Sequence, residues 1–344
     1  MEFDPDAAAT PDSGIFGLPH GPRDAYVHVL PVPYEATTSY RGGTSLGPEA
    51  ILAASHQVDL FDLETNEPWR RGIWMAPIDE RVAAWSRAGK ALAAPIIAQG
   101  GATAADRAAV ARVDELSARM NAFVHGGTSA ALEDGRLPVL LGGDHSTPFG
   151  AIQACSERFP GLGVLQIDAH ADLRVAYEGF RWSHASICHN VLEECAGVAR
   201  LVQVGIRDLG RAEHERMQSD ARIHGVFDSG WSKARRKGRM MQLVRETIDQ
   251  LPRDVYLTFD VDGLDPTLCP GTGTPVPGGL LWDEAMLLLR ELAKSGRRIV
   301  GLDLNEVSAG PEGDADGASW DAMIGARLLY RLIGFAVRTQ PQGR

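Results

Sequence analysis

Short apolar runs alternate with helix-length amphipathic stretches along nearly the whole chain. AYVHVLPVPY (25–34), LPVLLGG (137–143), LGVLQIDAH (162–170), RLVQVGI (200–206), RIHGVFD (222–228), DVYLTFDVD (254–262) and RRIVGLDLNEV (297–307) predict strands. These runs are rich in Val, Ile and Leu and do not alternate apolar with polar, which is the pattern of strands covered on both faces. Helices are predicted over 47–62, opened by Pro48 in its first turn, and over the Ala-rich stretch 104–134. Further helices fit 147–158, 211–219, 239–251, 282–295 and 319–336. Strands separated by helices predict an α/β fold: a three-layer α/β/α sandwich with a mostly parallel central sheet.

No internal repeat or low-complexity linker divides the chain, so residues 23–340 are read as one domain. Residues 1–22 are acidic and rich in Pro and Gly, which predicts a flexible or surface-lying arm. That stretch has neither the basic nor the apolar region of a signal peptide. No apolar run approaches the roughly 18–20 residues of a membrane span. The four cysteines (Cys155, Cys188, Cys195, Cys269) show no CxxC spacing, so free thiols and a cytoplasmic location are expected.

Charge narrows the partners. Against 34 Lys and Arg stand 45 Asp and Glu, a formal charge of −11, which argues against a nucleic-acid partner. The basic run KARRKGR (233–239) is the local exception, read as a solvated loop or helix start.

The chemistry gathers where strands end. LPVLLGG runs into Asp144 and His145, VLQI into Asp168, His170 and Asp172, VYLTF into Asp260, Asp262 and Asp265, and RIVGLDLN into Glu306. In an open parallel sheet ligands bind at that edge, by the point where strand order switches. Residues two apart on a strand share a face, so Asp168, His170 and Asp172 point one way, as do Asp260 and Asp262. So many carboxylates in a partly dry crevice repel one another strongly unless cations lie among them. Two imidazoles and four carboxylates suit a pair of divalent ions, Mn2+ first with Ni2+, Co2+ or Fe2+ as alternatives, and the absence of thiolate weakens a structural zinc reading. Each motif alone has a plainer reading. DAHAD resembles a loop with capping aspartates, FDVDGLDP a turn, and GGDHS a strand-to-helix turn capped by Ser146.

Taken together, GGDHS (142–146), DAHADLR (168–174), TFDVDGLDP (258–266), GTGTPVPGGL (271–280) and DLNEV (303–307), with SYRGGTSLGPEAI (39–51), resemble the ureohydrolases, the arginase and agmatinase family, most closely its bacterial agmatinase-type members. The resemblance implies two Mn2+ per subunit, one held by His145, Asp168, Asp172 and Asp260, the other by Asp168, His170, Asp260 and Asp262. It implies that Glu306 orients a guanidinium, that His184 shuttles protons and that Asp172 passes a proton to the leaving amine. The implied reaction is hydrolysis of a small guanidino substrate to urea and an amine, foremost agmatine to putrescine. Guanidinobutyrate, free guanidine, arginine or formiminoglutamate are the alternatives, with nickel as the alternative metal, and a non-catalytic subunit of the same fold is the rival of another class. A homotrimer or homohexamer is implied as well, and 104–134 is a candidate contact with a neighbour.

The substrate loop LRVAYEGFRWSH (173–184) departs from the family's arginase and agmatinase versions, and Ala185 and Ser186 follow His184 where Gly and Thr are usual. Glu178 is a candidate partner for a distal ammonium, or else a solvated carboxylate. Tyr177, Phe180 and Trp182 either wall the pocket or pack beneath the loop. GTGTPVPGGL lacks the spacing and lysine of a phosphate loop and is read as a pocket lining, with Thr274 near the substrate. His56, His125, His189, His214 and His224 lack paired carboxylates in sequence and are assigned no role.

Overall fold

Eight strands form one sheet in the computed structural model, which describes residues 3–10, 12–310 and 318–341. They are β1 (Val27–Val32), β2 (Ile73–Met75), β3 (Leu137–Gly142), β4 (Leu162–Ile167), β5 (Val198–Ile206), β6 (Ile223–Phe227), β7 (Asp254–Phe259) and β8 (Arg298–Leu304). The order is β2-β1-β3-β8-β7-β4-β5-β6, and every pairing is parallel. The strands β3, β8, β7 and β4 are therefore consecutive neighbours at the centre of the sheet, although β4 follows β3 in the chain. They are the four strands whose C-terminal ends carry the ionisable residues singled out above.

The helices are α1 (Gly47–Ser55), α2 (Glu80–Ala98), α3 (Arg107–Glu133), α4 (Phe149–Arg158), α5 (Ile187–Glu194), α6 (Arg211–Ser219), α7 (Asp228–Arg236), α8 (Met240–Ile248), α9 (Trp282–Lys294) and α10 (Trp320–Arg338). Alternate strand residues feed two cores. Leu165, Ile167, Val255, Leu257 and Phe259 pack with α1, α8, α9 and α10 on one face. Val164, Leu201, Tyr256 and Val300 pack with α3, α4 and α5 on the other. This makes three layers, and none of the described helices is long and apolar enough to cross a membrane.

Several boundaries differ from the sequence expectation. The helix predicted over 47–62 stops at Ser55, and Asp62 instead accepts from the backbone of Glu64 and Thr65 in a turn. Strand β2 and helices α2, α5 and α7 were not anticipated: β2 has three residues, and α2 has Ala at seven of its 19 positions with Pro95 in its last turn. The basic run lies at the end of α7, not at a helix start, and Arg235 there is bound to Glu284 at 2.5 Å. Within the expected surface arm, Ile15, Phe16 and Leu18 are buried in the main core, Phe16 edge-on to Tyr330 at 4.9 Å. Burying these large apolar side chains outweighs the loop-forming character of their neighbours. Met1, Glu2 and Pro11 of that arm, and residues 311–317 of the expected domain, lie outside the described residues.

Candidate metal centre and its pocket

His145 follows β3 through two glycines. Gly143 stands where a Cβ would collide with the carbonyl of Tyr34, so the chain passes closer to β1 than any side chain allows. The turn brings His145 Nδ1 within 2.9 Å of Asp168 Oδ2, 3.1 Å of Asp172 Oδ2 and 3.4 Å of Asp260 Oδ2. A second cluster adjoins it: His170 Nδ1 lies 2.9 Å from Asp262 Oδ2 and 3.6 Å from Asp168 Oδ1. Asp168 thus turns one oxygen to each cluster. Ligand atoms of His145, Asp168 and Asp260, and separately of Asp168, His170 and Asp262, are near enough to share an ion.

Whether a cation suits these residues is decided at His145. Its Nε2 lies 2.8 Å from Thr258 Oγ1, and the Thr258 hydroxyl donates to Asp303 Oδ1 at 2.8 Å. With its proton committed to Asp303, Thr258 can only accept from Nε2–H, so a neutral His145 ring turns the Nδ1 lone pair to the carboxylates. That Nδ1 is fully buried, makes no hydrogen bond among the described residues and faces three carboxylates. Such a lone pair is repelled by the carboxylate oxygens unless a proton or a metal ion lies between them. Burial lowers the His145 imidazole, but Asp168 and Asp172 outweigh it and hold it well above its ordinary value, so the position favours positive charge. The hard oxygen and imidazole donors fit a divalent ion such as Mn2+.

Electrostatics point the same way. Burial raises Asp172 to about 7, with the Asp168 charge adding to the rise. Burial and the charges of Asp262 and Asp168 push Asp260 well up. Burial lowers His170, but the carboxylates of Asp262 and Asp168 outweigh it and carry the imidazole up to about 12. The same balance holds Asp168 well below the usual carboxylate range. The site is a field that attracts positive charge.

Glu306, after β8, is buried, and its Oε1 accepts from the His145 backbone N–H at 2.9 Å. Glu306 and Asp172 both hold left-handed backbone, with φ of 63° and 53°. Such conformations are costly for non-glycine residues and gather at functional sites. A cavity of about 410 Å³ opens from the cluster to the surface, lined by His170, Asp172, His184 and Thr274 among others. His184 sits edge-on to Tyr177 at 6.0 Å, and burial, followed by the charges of His170 and His145, lowers its pKa to about 3.

Glu178 is not brought to this cavity. Its carbonyl accepts from Ala102 N at 2.9 Å, which turns the residue toward the α2–α3 connection, and a glycine turn at Gly179 (φ 98°) completes the departure. Phe180 and Trp182 pack beneath the loop, Trp182 edge-on to Phe149 at 4.7 Å, while Tyr177 lines the cavity. None of the five histidines set aside lines it; His125 pairs instead with Glu157 at 2.9 Å. The sequence reading missed four charged lining residues, Asp208, Arg41, Arg174 and Glu213. Asp208, beside His170 in a parallel bridge, is exposed and has no ion-pair partner among the described residues. Arg41 donates to the Pro270 carbonyl at 2.8 Å. Arg174 stacks over Tyr177 at 4.6 Å and lies 3.5 Å from Glu213. Asp208 and Glu213 follow β5, a strand whose end carried no motif.

Comparison with known proteins agrees with this geometry. The model of the arginase family matches residues 25–334. The chain is 33% identical to an N(1)-aminopropylagmatine ureohydrolase from Synechocystis, covering 91% of this chain and 89% of that protein. It is 32% identical to proclavaminate amidinohydrolase from Streptomyces clavuligerus, covering 94% and 93%. The solved structure of proclavaminate amidino hydrolase from the same organism superposes with a TM-score of 0.70 at 25% identity, covering 97% of this chain and all of that one. On this evidence the chain belongs to the arginase family, and it is a hydrolase.

Proposed function

We propose that this chain cleaves the guanidino group of a small linear substrate to urea and an amine, with agmatine as the first substrate, at a centre of two Mn2+ ions. The observation that carries this is the buried Nδ1 of His145, facing three carboxylates, inside a pair of clusters that share Asp168. In this reading His145, Asp168, Asp172 and Asp260 hold one ion, and Asp168, His170, Asp260 and Asp262 hold the other. Such a pair, when bound, supplies Lewis acidity and makes water a nucleophile near neutral pH.

The protein's own groups do the rest. Glu306 commits one oxygen to the His145 backbone and has the other free to pair with the guanidinium, which fixes the carbon to be attacked. In the net reaction one C–O bond forms from water and the C–N bond to the alkyl amine breaks. The leaving nitrogen needs a proton, which Asp172 is placed to give. His184, held neutral and opening on the cavity, exchanges protons with solvent.

Asp208 supports the choice of agmatine, because an unpaired carboxylate on the cavity wall suits a distal ammonium. It takes the place the sequence reading had given to Glu178. The similarity to an aminopropylagmatine ureohydrolase agrees with this choice. Arg41 favours a second reading: a cation on the cavity wall with no salt bridge among the described residues suits a guanidino acid such as guanidinobutyrate, and proclavaminate amidinohydrolase is a relative. A homotrimer or homohexamer completes the reading, and light scattering on the purified chain tests it.

The decisive assay loads the metal-free protein with Mn2+ or Ni2+ and measures urea from arginine, agmatine, guanidinobutyrate and guanidine. Agmatine is expected to give the highest kcat/KM with Mn2+. Asp208→Asn is expected to lower kcat/KM for agmatine and leave guanidinobutyrate unchanged. No urea from any of the four overturns the reading.

A further inference from the structure

Two glutamines interrupt otherwise apolar strands. Gln166 on β4 and Gln203 on β5 are partners in register, and both are fully buried. Gln166 Nε2 donates to Asp168 Oδ2 at 2.7 Å and to the His170 carbonyl at 3.4 Å. Gln166 Oε1 accepts from Gln203 Nε2 at 2.6 Å and from the Cys188 thiol at 3.2 Å. Gln203 Nε2 also donates to the Ala171 carbonyl at 2.7 Å.

These contacts fix both amides. A carboxylate only accepts, so Gln166 must present its NH2 to Asp168 and its carbonyl to Gln203. Gln203 must then present its own NH2, which leaves Gln203 Oε1 buried with no partner among the described residues. An apolar pair at this register would fill the space without stranding an acceptor. What the pair does instead is hold the DAHAD segment from behind, by one carboxylate oxygen and two successive carbonyls.

We propose that Gln166, steered by Gln203, is a positioning residue for the metal centre: it sets the carboxylate of Asp168 so that each oxygen faces a different ion. The geometry is complete on both sides. Asp168 Oδ2, held by Gln166, lies 2.9 Å from His145 Nδ1. Asp168 Oδ1, held by the His170 backbone N–H at 2.6 Å, faces His170 Nδ1. Without the amide, only one oxygen is pinned, and the carboxylate is free to turn both toward a single ion. Outer partners of this kind commonly govern metal affinity. The inference rests on the two-ion reading given above.

The test compares the full-length wild type with Gln166→Met and Gln203→Met, each an unbranched apolar replacement of similar length. Titration of metal-free protein with Mn2+ against a competing chelator gives stoichiometry and affinity. Low-temperature electron paramagnetic resonance separates a spin-coupled ion pair from isolated ions. Gln166→Met is expected to weaken the second ion by about 10- to 100-fold and to replace the coupled signal with an isolated one. Gln203→Met, which keeps the donor but frees its amide to turn, is expected to shift both readouts the same way by less. It carries the test should Gln166→Met fail to fold. Two ions bound with wild-type affinity and coupling in a folded variant overturn the positioning role alone. Fewer than two ions in the wild type overturn the role together with the two-ion centre.

Discussion

Chemistry at this site is decided by single atoms whose partners are fixed elsewhere. His145 can offer Nδ1 because Thr258 takes Nε2–H, and Thr258 accepts because Asp303 takes its hydroxyl proton. Thr258→Val removes both bonds and strips a donor from a fully buried carboxylate. Mn2+ affinity, read by chelator competition, should fall by about 10- to 100-fold, and thermal stability should fall by about 1–3 kcal/mol. Glu306→Gln keeps an acceptor for the His145 N–H but loses the charge proposed to pair with the guanidinium. Its kcat/KM on agmatine should drop by about 10- to 150-fold, matching about 1.5–3 kcal/mol for a bond to a charged group, with Mn2+ stoichiometry unchanged. Five of the six proposed ligands stood out because Asp and His recur at a spacing of two where apolar runs stop, and His145 because it follows Asp144 at the end of another such run. Thr258, Asp303, Gln166 and Gln203 were not, because one polar residue inside an apolar run has no spacing to betray it. Glu178 was misplaced for the opposite reason: it is close in sequence to His184, but the turn at Gly179 sends it away.

Elements are held to the site by a few buried polar joints, and Glu284 is the clearest. It opens α9 by accepting from Leu281 N at 3.0 Å, and it also takes Trp231 Nε1 at 3.1 Å and Arg235 Nη2 at 2.6 Å from α7. Arg235 reaches on to the carbonyl of Gly279, in the loop after the pocket-lining Thr274. Burial pushes the Glu284 carboxyl up, but the bonds from Arg235, Leu281 and Trp231 outweigh it and hold it below its ordinary 4.5. A carboxylate held low in the folded state stabilises fully above its unfolded value, and that contribution is lost as pH falls through the folded value. Glu284→Gln should therefore cost about 1.5–3 kcal/mol at pH 7, and the gap from wild type should close as the pH is lowered below about 4.5. Paired melts from pH 7 to pH 3.5 check the sign; a gap that widens in acid refutes it. The joint explains the basic run, whose charge pattern alone could not name a partner 49 residues away. Long strands and helices were legible from their periodicity. Strand β2 is too short to show one, and the exposed Ala and Arg positions of α2 blur its apolar stripe.

Across the molecule, strand order is what assembles the site. With β3, β8, β7 and β4 side by side, His145, Glu306, Asp260 and Asp168 converge, although they are spread over more than 160 residues of chain. The sequence showed that four strands ended in the right chemistry but not that they were neighbours, since adjacency is set by crossovers that leave no local signal. Convergence has a cost, because Asp144, Asp168, Asp172, Asp260, Asp262, Asp303 and Glu306 are all at most 6% exposed within one region. Their mutual repulsion and desolvation oppose folding unless divalent charge is supplied. The whole domain should therefore be a metal-stabilised fold, not a stable scaffold with metal added for activity alone. Saturating Mn2+ at about 100 times its dissociation constant should stabilise the chain by about 2.7 kcal/mol for each ion bound to the folded state alone. A chelator should lower the melting temperature, and added Mn2+ should restore it in proportion to the logarithm of free ion. His145→Ala, which removes one ligand, should flatten that dependence. If the chelated protein melts where the Mn2+-loaded one does, the carboxylates are compensated by protons or by the protein, and the charge argument fails for this fold.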